Sequence, residues 1–394
     1  MKGKCIFTLI ATVALTLQLS QAWAQFPTNL TWTTAFIPPA SIEGLTGDNK
    51  GNFYVVDRTT DVCKVWKINT DTVPVSVTQV GAVNFSGCRP SGVAFGPDGD
   101  LYITSTSTIY RLTPDPSVPS ATVFAEGVPG ANGVAFDKRG NLLVSDGTEN
   151  QGRVWRISPS GGSCEPEFSG CEELFRVPPR RNGSNLGGNV TAQPDGVGSV
   201  RYTVPRHNTM APSGTDRQDI VANGLAFDRG GSLYVADTAR GAIWKVTFDR
   251  NGELRNNQTG CDVTFAPDTL CWDNLWIADP RLEGVDGIAL DLAGNIWAAV
   301  NERNAIVGIT PAPKKVVEIF QNPADPTTLL RNGDPAAGRP LEFPTSPFLS
   351  GRKFCVTGAD SPRRDNNPNS PGEGSKVTCI DQNLVIPGLP LPVK

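Results

Sequence analysis

Short apolar runs recur in pairs along the chain, and an Asp/Gly turn separates the two runs of each pair. The most regular copy reads Gly224-Leu-Ala-Phe-Asp-Arg-Gly-Gly-Ser-Leu-Tyr-Val-Ala-Asp. Two apolar runs around such a turn are typical of two antiparallel β-strands. Related copies begin at Gly92, Gly133 and Gly287, with a weaker copy at Gly44 and the most degenerate copy at Thr345. The chain therefore contains six copies of one β-rich unit.

Further strands follow the pair in most copies. A third apolar run is seen in Lys64-Val-Trp-Lys-Ile and its equivalents, and a fourth in residues 77–83, 121–128 and 315–320. Four antiparallel strands that cannot bury both faces alone are typical of a propeller blade. We predict an all-β fold, a six-bladed β-propeller with four-stranded antiparallel blades. Residues 32–37 precede the first copy as fourth strands precede the later ones, so this N-terminal strand is expected to close the ring.

The N-terminus has the features of an export signal. Lys2 and Lys4 give a basic start, residues 5–19 are apolar, and Ala22-Trp-Ala24 fits a small-x-small cleavage site. The apolar stretch is short for a membrane span. We predict a cleaved signal peptide at residues 1–24, a single propeller domain at residues 25–394, and a secreted or periplasmic protein.

Eight cysteines remain after the signal, an even number in a chain bound for an oxidising compartment. They fall into near neighbours in the sequence, and the expected places of their strands and loops in the ring are compatible with local pairing. The suggested disulfides are Cys63–Cys88, Cys164–Cys171, Cys261–Cys271 and Cys355–Cys379.

The charge of the chain argues against some classes of binding partner. Its 394 residues include 35 Lys and Arg against 39 Asp and Glu, a formal net charge of −4, and there are no basic runs. Such a chain is a poor candidate for binding nucleic acid or an anionic membrane. His207 is the one histidine, which excludes zinc sites with several histidines. We expect a monomer with a small-molecule ligand, and neither a nucleic acid nor a membrane as partner.

The residue before each repeat glycine is expected at the entrance to the innermost strand, at the top of the central channel. Oxygen ligands without Cys or His suit a hard cation. At a single position, Asn or Asp is as readily explained by bonding to the backbone of the turn. The convergence of four such side chains on one axis favours a metal site. In the first five blades these residues are Glu43, Ser91, Asn132, Asn223 and Asp286, and in the degenerate sixth copy, which lacks the glycine, the position falls approximately at Thr345.

The ordered Glu, Asn, Asn and Asp set resembles the senescence-marker-protein/gluconolactonase/luciferin-regenerating-enzyme family of six-bladed propellers. In that family the four residues surround one divalent cation, and the resemblance covers essentially the whole mature chain. It implies Glu43, Asn223 and Asp286 as direct metal ligands, with Asn132 serving the metal or the substrate. The implied cation is calcium, with magnesium, manganese or zinc as alternatives. The resemblance also implies lactone hydrolysis, in which the cation polarises the ring carbonyl and Asp286 is the general base.

The chain departs from this family at one position. Many members carry an arginine two residues before the third-blade asparagine, where this chain has Gly130. Arg89 in the second blade is our candidate for binding the substrate from another direction, and a plain surface charge is the alternative. Three long insertions, residues 178–221, 323–344 and 361–375, are expected on the top face. As a lid, the first would bring Arg180, Arg181, Arg206 and His207 over the site.

The leading prediction is thus a secreted, divalent-metal-dependent hydrolase of lactones. One alternative is a non-catalytic propeller that binds a ligand or partner and keeps the metal as a structural element. The absent arginine and the long loops favour that alternative. A further alternative is a strictosidine-synthase-like enzyme on the same scaffold, whereas the lack of a histidine pair argues against paraoxonase-like chemistry.

Overall fold

The computed structural model describes residues 26–59, 61–149, 151–178, 190–191, 203–204, 218, 220–255, 259–263, 265–361 and 372–393. The predicted signal peptide lies outside these residues, as do Arg180, Arg181, Arg206 and His207 of the predicted lid. In the described part of the chain, the few helical segments are too short to span a bilayer.

Six small antiparallel sheets form the ring, which confirms the predicted all-β propeller. The first strand, β1 (Trp32–Phe36), belongs to the last blade. Blade 1 contains β2 (Ser41–Gly47), β3 (Asn52–Arg58), β4 (Cys63–Asn69) and β5 (Ser76–Val83). Blade 2 contains β6 (Pro90–Phe95), β7 (Leu101–Ser105), β8 (Thr108–Leu112) and β9 (Thr122–Glu126). Blade 3 contains β10 (Ala131–Phe136), β11 (Leu142–Asp146), β12 (Arg153–Ile157) and β14 (Cys171–Arg176), and β13 (Gly162–Ser163) adds to the edge of blade 2.

The second half of the ring follows the same plan. A separate two-stranded ribbon of β15 (Val190–Thr191) and β16 (Thr203–Val204) precedes blade 4. Blade 4 contains β17 (Leu225–Phe227), β18 (Leu233–Asp237), β19 (Ala242–Phe248) and β21 (Leu275–Ala278), with β20 (Leu254–Arg255) paired to the end of β19. Blade 5 contains β22 (Val285–Leu290), β23 (Ile296–Val300), β24 (Ala305–Pro311) and β25 (Lys314–Gln321). Blade 6 contains β26 (Pro344–Ser350), β27 (Lys353–Gly358), β28 (Lys376–Ile380) and β1. Among the described residues, four 3-10 turns lie between strands, at Trp272–Asn274, Pro280–Leu282, Asn301–Arg303 and Pro335–Ala337.

The ring closes as predicted, through the N-terminal strand. β1 pairs antiparallel with β28, and Thr34 lies opposite Thr378. On the inside, β2, β6, β10, β17, β22 and β26 contact one another in succession, and β26 contacts β2. The two ends of the chain are therefore held in one sheet, in which β1 is the outermost strand and covers the edge of β28.

All four predicted disulfides are present, namely Cys63–Cys88, Cys164–Cys171, Cys261–Cys271 and Cys355–Cys379. Cys355 and Cys379 are opposite residues of β27 and β28, so their bond braces the blade that closes the ring. Four disulfides fit an extracellular or periplasmic protein, because such bonds persist in oxidising compartments.

The inner strands approach one another so closely at the top of the axis that the repeat position requires glycine in five of the six blades. A Cβ atom on Gly224 would lie 2.5 Å from the carbonyl oxygen of Asp286, and one on Gly287 would lie 2.6 Å from that of Thr345. The same collision with the next blade recurs at Gly44, Gly92 and Gly133. Backbone atoms cannot yield as a flexible side chain would, so the repeat glycines are a steric requirement of the ring.

Each of five inner strands also contains an irregularity at this position. The pairing register shifts between Ile42 and Leu45 in β2, and between Val285 and Ile288 in β22. Equivalent shifts occur in β6, β10 and β26. Because a β-bulge re-aims side chains, the residue before the glycine departs from the regular alternation of its strand.

The C-terminal segment covers the opposite end of the channel. The backbone N–H of Leu389 donates to the carbonyl of Leu290 at 2.9 Å, and the Asn49 side chain exchanges two hydrogen bonds with the backbone of Leu391. Between this segment and the top of the axis lies a cavity of about 100 Å³, lined by inner-strand residues together with Leu389, Leu391 and Pro392. The bottom of the axis is therefore covered, and we expect a ligand to enter from the top.

We expect Gly224→Ala to destabilise the protein, since the new methyl would meet both the Asp286 oxygen and the Gly287 Cα, the latter at 2.7 Å. The overpacking should cost about 1–3 kcal/mol and lower the Tm in a thermal melt. The control is Gly230→Ala, whose methyl would first meet the Asp228 side chain at 3.0 Å. Equal Tm values for the two variants would contradict the steric requirement.

Candidate active site at the top of the propeller axis

Three of the four predicted metal residues lie in one connected group. Asn223 and Asp286 are buried, and the Asn223 amide lies close enough to the Asp286 carboxyl to favour its ionised form. Glu43 forms an ion pair with Arg58, whose positive charge also acts on Asp286. Three blades thus contribute to one polar cluster, held together by the close approach of their inner strands.

The fourth predicted residue, Asn132, lies at the start of β10 beside this cluster. Its carbonyl oxygen accepts a hydrogen bond from Thr104 Oγ1 of blade 2 at 2.7 Å. Its side chain is half-buried against Gly147, where an added Cβ would lie 2.8 Å from Asn132 Nδ2. A larger residue at Gly147 would therefore displace the Asn132 amide.

Residues at a second position of the repeat contact the predicted residues, and they were not predicted from the sequence. In four blades, the residue at the top end of the second strand contacts the predicted residue of the same blade. These pairs are Glu43–Arg58, Asn132–Gly147, Asn223–Thr238 and Asp286–Asn301. The signal available in the sequence is positional, because aligning the six copies places all four partners in one column.

Asp286 is a buried carboxyl with neutral amide partners. Asn301 Nδ2 donates to its Oδ2 at 2.9 Å, and the amide of Asn223 is itself held by Thr238 Oγ1 at 2.9 Å. Burial raises the pKa of Asp286 to about 7, even though the bonds from Asn301 and Asn223 and the charge of Arg58 oppose the rise. Near neutral pH this carboxyl therefore exchanges a proton readily.

Arg58 supplies a positive charge at the axis. Its Nε donates to the Pro90 carbonyl at 2.7 Å, and its Nη2 donates to Ser91 Oγ at 3.1 Å and pairs with Glu43. Burial lowers the pKa of Arg58 to about 10, with Asp286 opposing and Arg89 adding to the decrease. The guanidinium stays charged at neutral pH.

The remaining residues singled out in the sequence lie around this cluster. Arg89 is exposed in the loop between blades 1 and 2, close enough to Arg58 for the two charges to repel. Ser91 is the acceptor for Arg58, and Thr345 Oγ1 donates to the Glu43 carbonyl at 2.8 Å. Arg89 is therefore at the rim, and Arg58 is the cation that pairs with Glu43.

The donor chemistry is of the kind that a hard cation prefers. Asp286 is a buried carboxyl that faces amide groups, and a cation beside this carboxyl would hold it in the ionised form. The Glu43 carboxylate would be shared between that cation and Arg58. Among the described residues, no three His, Cys, Asp or Glu side chains form a metal-binding group. The predicted set contains two carboxylates, so it would depend on its amide oxygens, and the cation stays a prediction.

The raised pKa of Asp286 predicts a pH-dependent stability in the presence of a chelator. The Asp286 carboxyl has a pKa of about 7 in the folded protein and an ordinary value of 3.8, so it holds its proton more tightly when the protein is folded. Its protonated form therefore stabilises the folded state fully at pH values below 3.8. That stability is lost as the pH rises through 7. We expect the Tm of Asp286→Asn to exceed that of the wild type at pH 8, and we expect this difference to shrink as the pH is lowered to 5. An Asp286→Asn variant less stable at pH 8 would contradict this reasoning.

Comparison with known proteins supports the family resemblance. Residues 189–337 match the family model described as SMP-30/Gluconolactonase/LRE-like region. No curated protein matches the sequence.

Solved structures share the fold at low identity. The calcium-binding protein regucalcin from Agrobacterium tumefaciens strain C58 is 15% identical, with a TM-score of 0.54 over 91% of this chain and 96% of that chain. A luciferin-regenerating enzyme is 15% identical, with a TM-score of 0.54 over 91% and 97%. The PQQ-bound aldose sugar dehydrogenase from Streptomyces coelicolor is 14% identical, with a TM-score of 0.50 over 90% and 99%. At these identities the likeness shows the fold alone.

The family match and the shared fold confirm the resemblance predicted from the ordered Glu, Asn, Asn and Asp positions: this chain is a six-bladed propeller with an SMP-30/gluconolactonase/LRE-like region.

Proposed function

We propose that the chain is a secreted hydrolase that opens lactones at the top of the propeller axis. The observation that carries the proposal is the buried Asp286 carboxyl, hydrogen-bonded to Asn301 and facing the Arg58–Glu43 ion pair. A proton acceptor beside fixed charges, at the end of the axis opposite the C-terminal segment, suits the addition of water to a small ester.

Asp286 is the proposed general base. Asn301 fixes one of its carboxyl oxygens, so the other can be turned toward the attacking water. As the water oxygen bonds to the lactone carbonyl carbon, Asp286 accepts the water's proton. The ring C–O bond then breaks, and the proton passes to the departing alkoxide, so that the product is a hydroxy acid.

Glu43, Asn223 and Asp286 would hold the divalent cation, and Asn132 would serve the cation or the substrate. When bound, a cation supplies Lewis-acid polarisation of the carbonyl and stabilises the negative charge that develops there. Calcium is the proposed ion because the donors are all oxygens, with magnesium, manganese or zinc as alternatives. Arg89, at the rim, is the proposed contact for the outer part of the substrate.

The test is hydrolysis of a panel of sugar and aliphatic lactones by the purified protein, followed with a pH indicator, with and without a chelator. We expect turnover that the chelator abolishes and added calcium restores. Asp286→Asn should lower kcat by about 10²–10⁴-fold, the usual contribution of a positioned general base.

Asp291→Asn is the matched control, since Asp291 is a buried carboxyl of the same blade that bonds Asn295 and Trp297 away from the cluster. It should retain activity at temperatures where it is folded. An equal loss in both variants would contradict the role of Asp286. Absence of turnover across the panel, with each cation supplied, would favour the non-catalytic binding propeller.

A further inference from the structure

Arg58 is a half-buried cation that bonds its neighbours through Nε and Nη2, and its Nη1 has no acceptor among the described residues. We propose that Arg58 determines substrate specificity by binding an anionic group, so that the preferred substrate is a lactone bearing a carboxylate. This inference rests on the proposed lactone hydrolysis and names its substrate class.

The hydrogen bonds of Arg58 fix the guanidinium but leave part of it unused. Nε is bound to the Pro90 carbonyl, and Nη2 is bound to Ser91 Oγ and Glu43. Nη1 has no acceptor among the described residues, and 27% of the side chain is exposed. A rigid guanidinium with a free donor is well suited to a carboxylate oxygen, because its planar fork is already oriented.

The balance of charge at the axis also favours an anion. Two guanidiniums, Arg58 and Arg89, lie near two carboxylates, Glu43 and Asp286. A divalent cation bound by both carboxylates would neutralise them and leave the two guanidiniums in excess. An anionic group between Arg58 and Arg89 would relieve the repulsion between the two guanidiniums. Their excess positive charge would also attract an anionic substrate to the top of the axis.

The position of Arg58 would connect recognition with chemistry. Arg58 touches Glu43, a proposed cation ligand, and its charge reaches Asp286, the proposed base. A carboxylate on Arg58 would therefore hold the rest of the substrate beside the reacting groups. The competing explanation is that Arg58 is a structural partner of Glu43, which would affect every substrate equally.

The test uses two lactones that differ in charge, 5-oxo-oxolane-2-carboxylate and its carboxamide. We expect the wild type to prefer the carboxylate. Arg58→Met should lower kcat/KM for the carboxylate by about 10–100-fold more than for the carboxamide, the usual value of a charge-assisted hydrogen bond, because any loss that acts through Glu43 or Asp286 is common to both lactones. Arg58→Lys should restore part of the preference. Arg111→Met, which removes an arginine bound to Asp98 and Asp100, is the control and should leave both values unchanged.

Equal losses on both lactones in Arg58→Met would overturn the proposal and leave Arg58 as a structural partner of Glu43. If the wild type opens neither lactone, lactone hydrolysis fails for this pair, and calorimetric binding of the same two compounds then tests Arg58 separately. Tighter binding of the carboxylate that is lost in Arg58→Met would support the anion site. Equal or absent binding of the two compounds would overturn it.

Discussion

The close approach of the inner strands is the constraint on which the rest of the molecule depends. Where adjacent blades meet at the top of the axis, the backbone of one strand lies against the glycine Cα of its neighbour, and no side chain fits between them. Hydroxyl groups bridge the same junctions, as when Ser145 Oγ donates to the Asn223 carbonyl at 2.7 Å. The residue before each glycine is thereby fixed by two blades, which is the rigidity that a binding site requires.

This geometry brings charged groups into a region where they are costly. Asp286 is buried beside two amides, and no cation contacts it among the described residues, while Glu43 is neutralised by Arg58. Burial of an ionised carboxyl is unfavourable unless a positive charge or several hydrogen bonds compensate for it. A protein that keeps such a group gives up stability at that point, and the usual reason is chemistry that needs a proton acceptor of raised pKa.

Much of the fold could be predicted because it repeats. The Asp/Gly turns, the glycine that begins the inner strand and the paired cysteines each recur along the chain. The well-preserved copies therefore make it possible to identify the weaker ones. The outer strand of blade 4, β21, was not predicted, because a long insertion that includes the Cys261–Cys271 disulfide separates it from β19. Such an insertion has no periodicity of its own to mark where the blade resumes.

The candidate site was predictable in part. Glu43, Asn132, Asn223 and Asp286 share one place in the repeat, and that regularity indicates a common axis. Arg58, Thr238 and Asn301 also share a place, but their residue types differ, so no single chemistry draws attention to them. Their roles depend on contacts across the strand pair, such as the bond from Asn301 to Asp286, which appear only when both strands are positioned.

The most direct test of the account is the stoichiometry of calcium binding, measured by titration calorimetry on the full mature chain. We predict that each chain binds one calcium ion. Binding should be strongly weakened in Glu43→Gln and in Asn223→Ala, and it should be unchanged in Asp291→Asn. One of these ligands comes from blade 1 and the other from blade 4, so a joint loss would require a site that spans the axis. Binding that survives in both variants, or no binding by the wild type with any of the proposed cations, would contradict it.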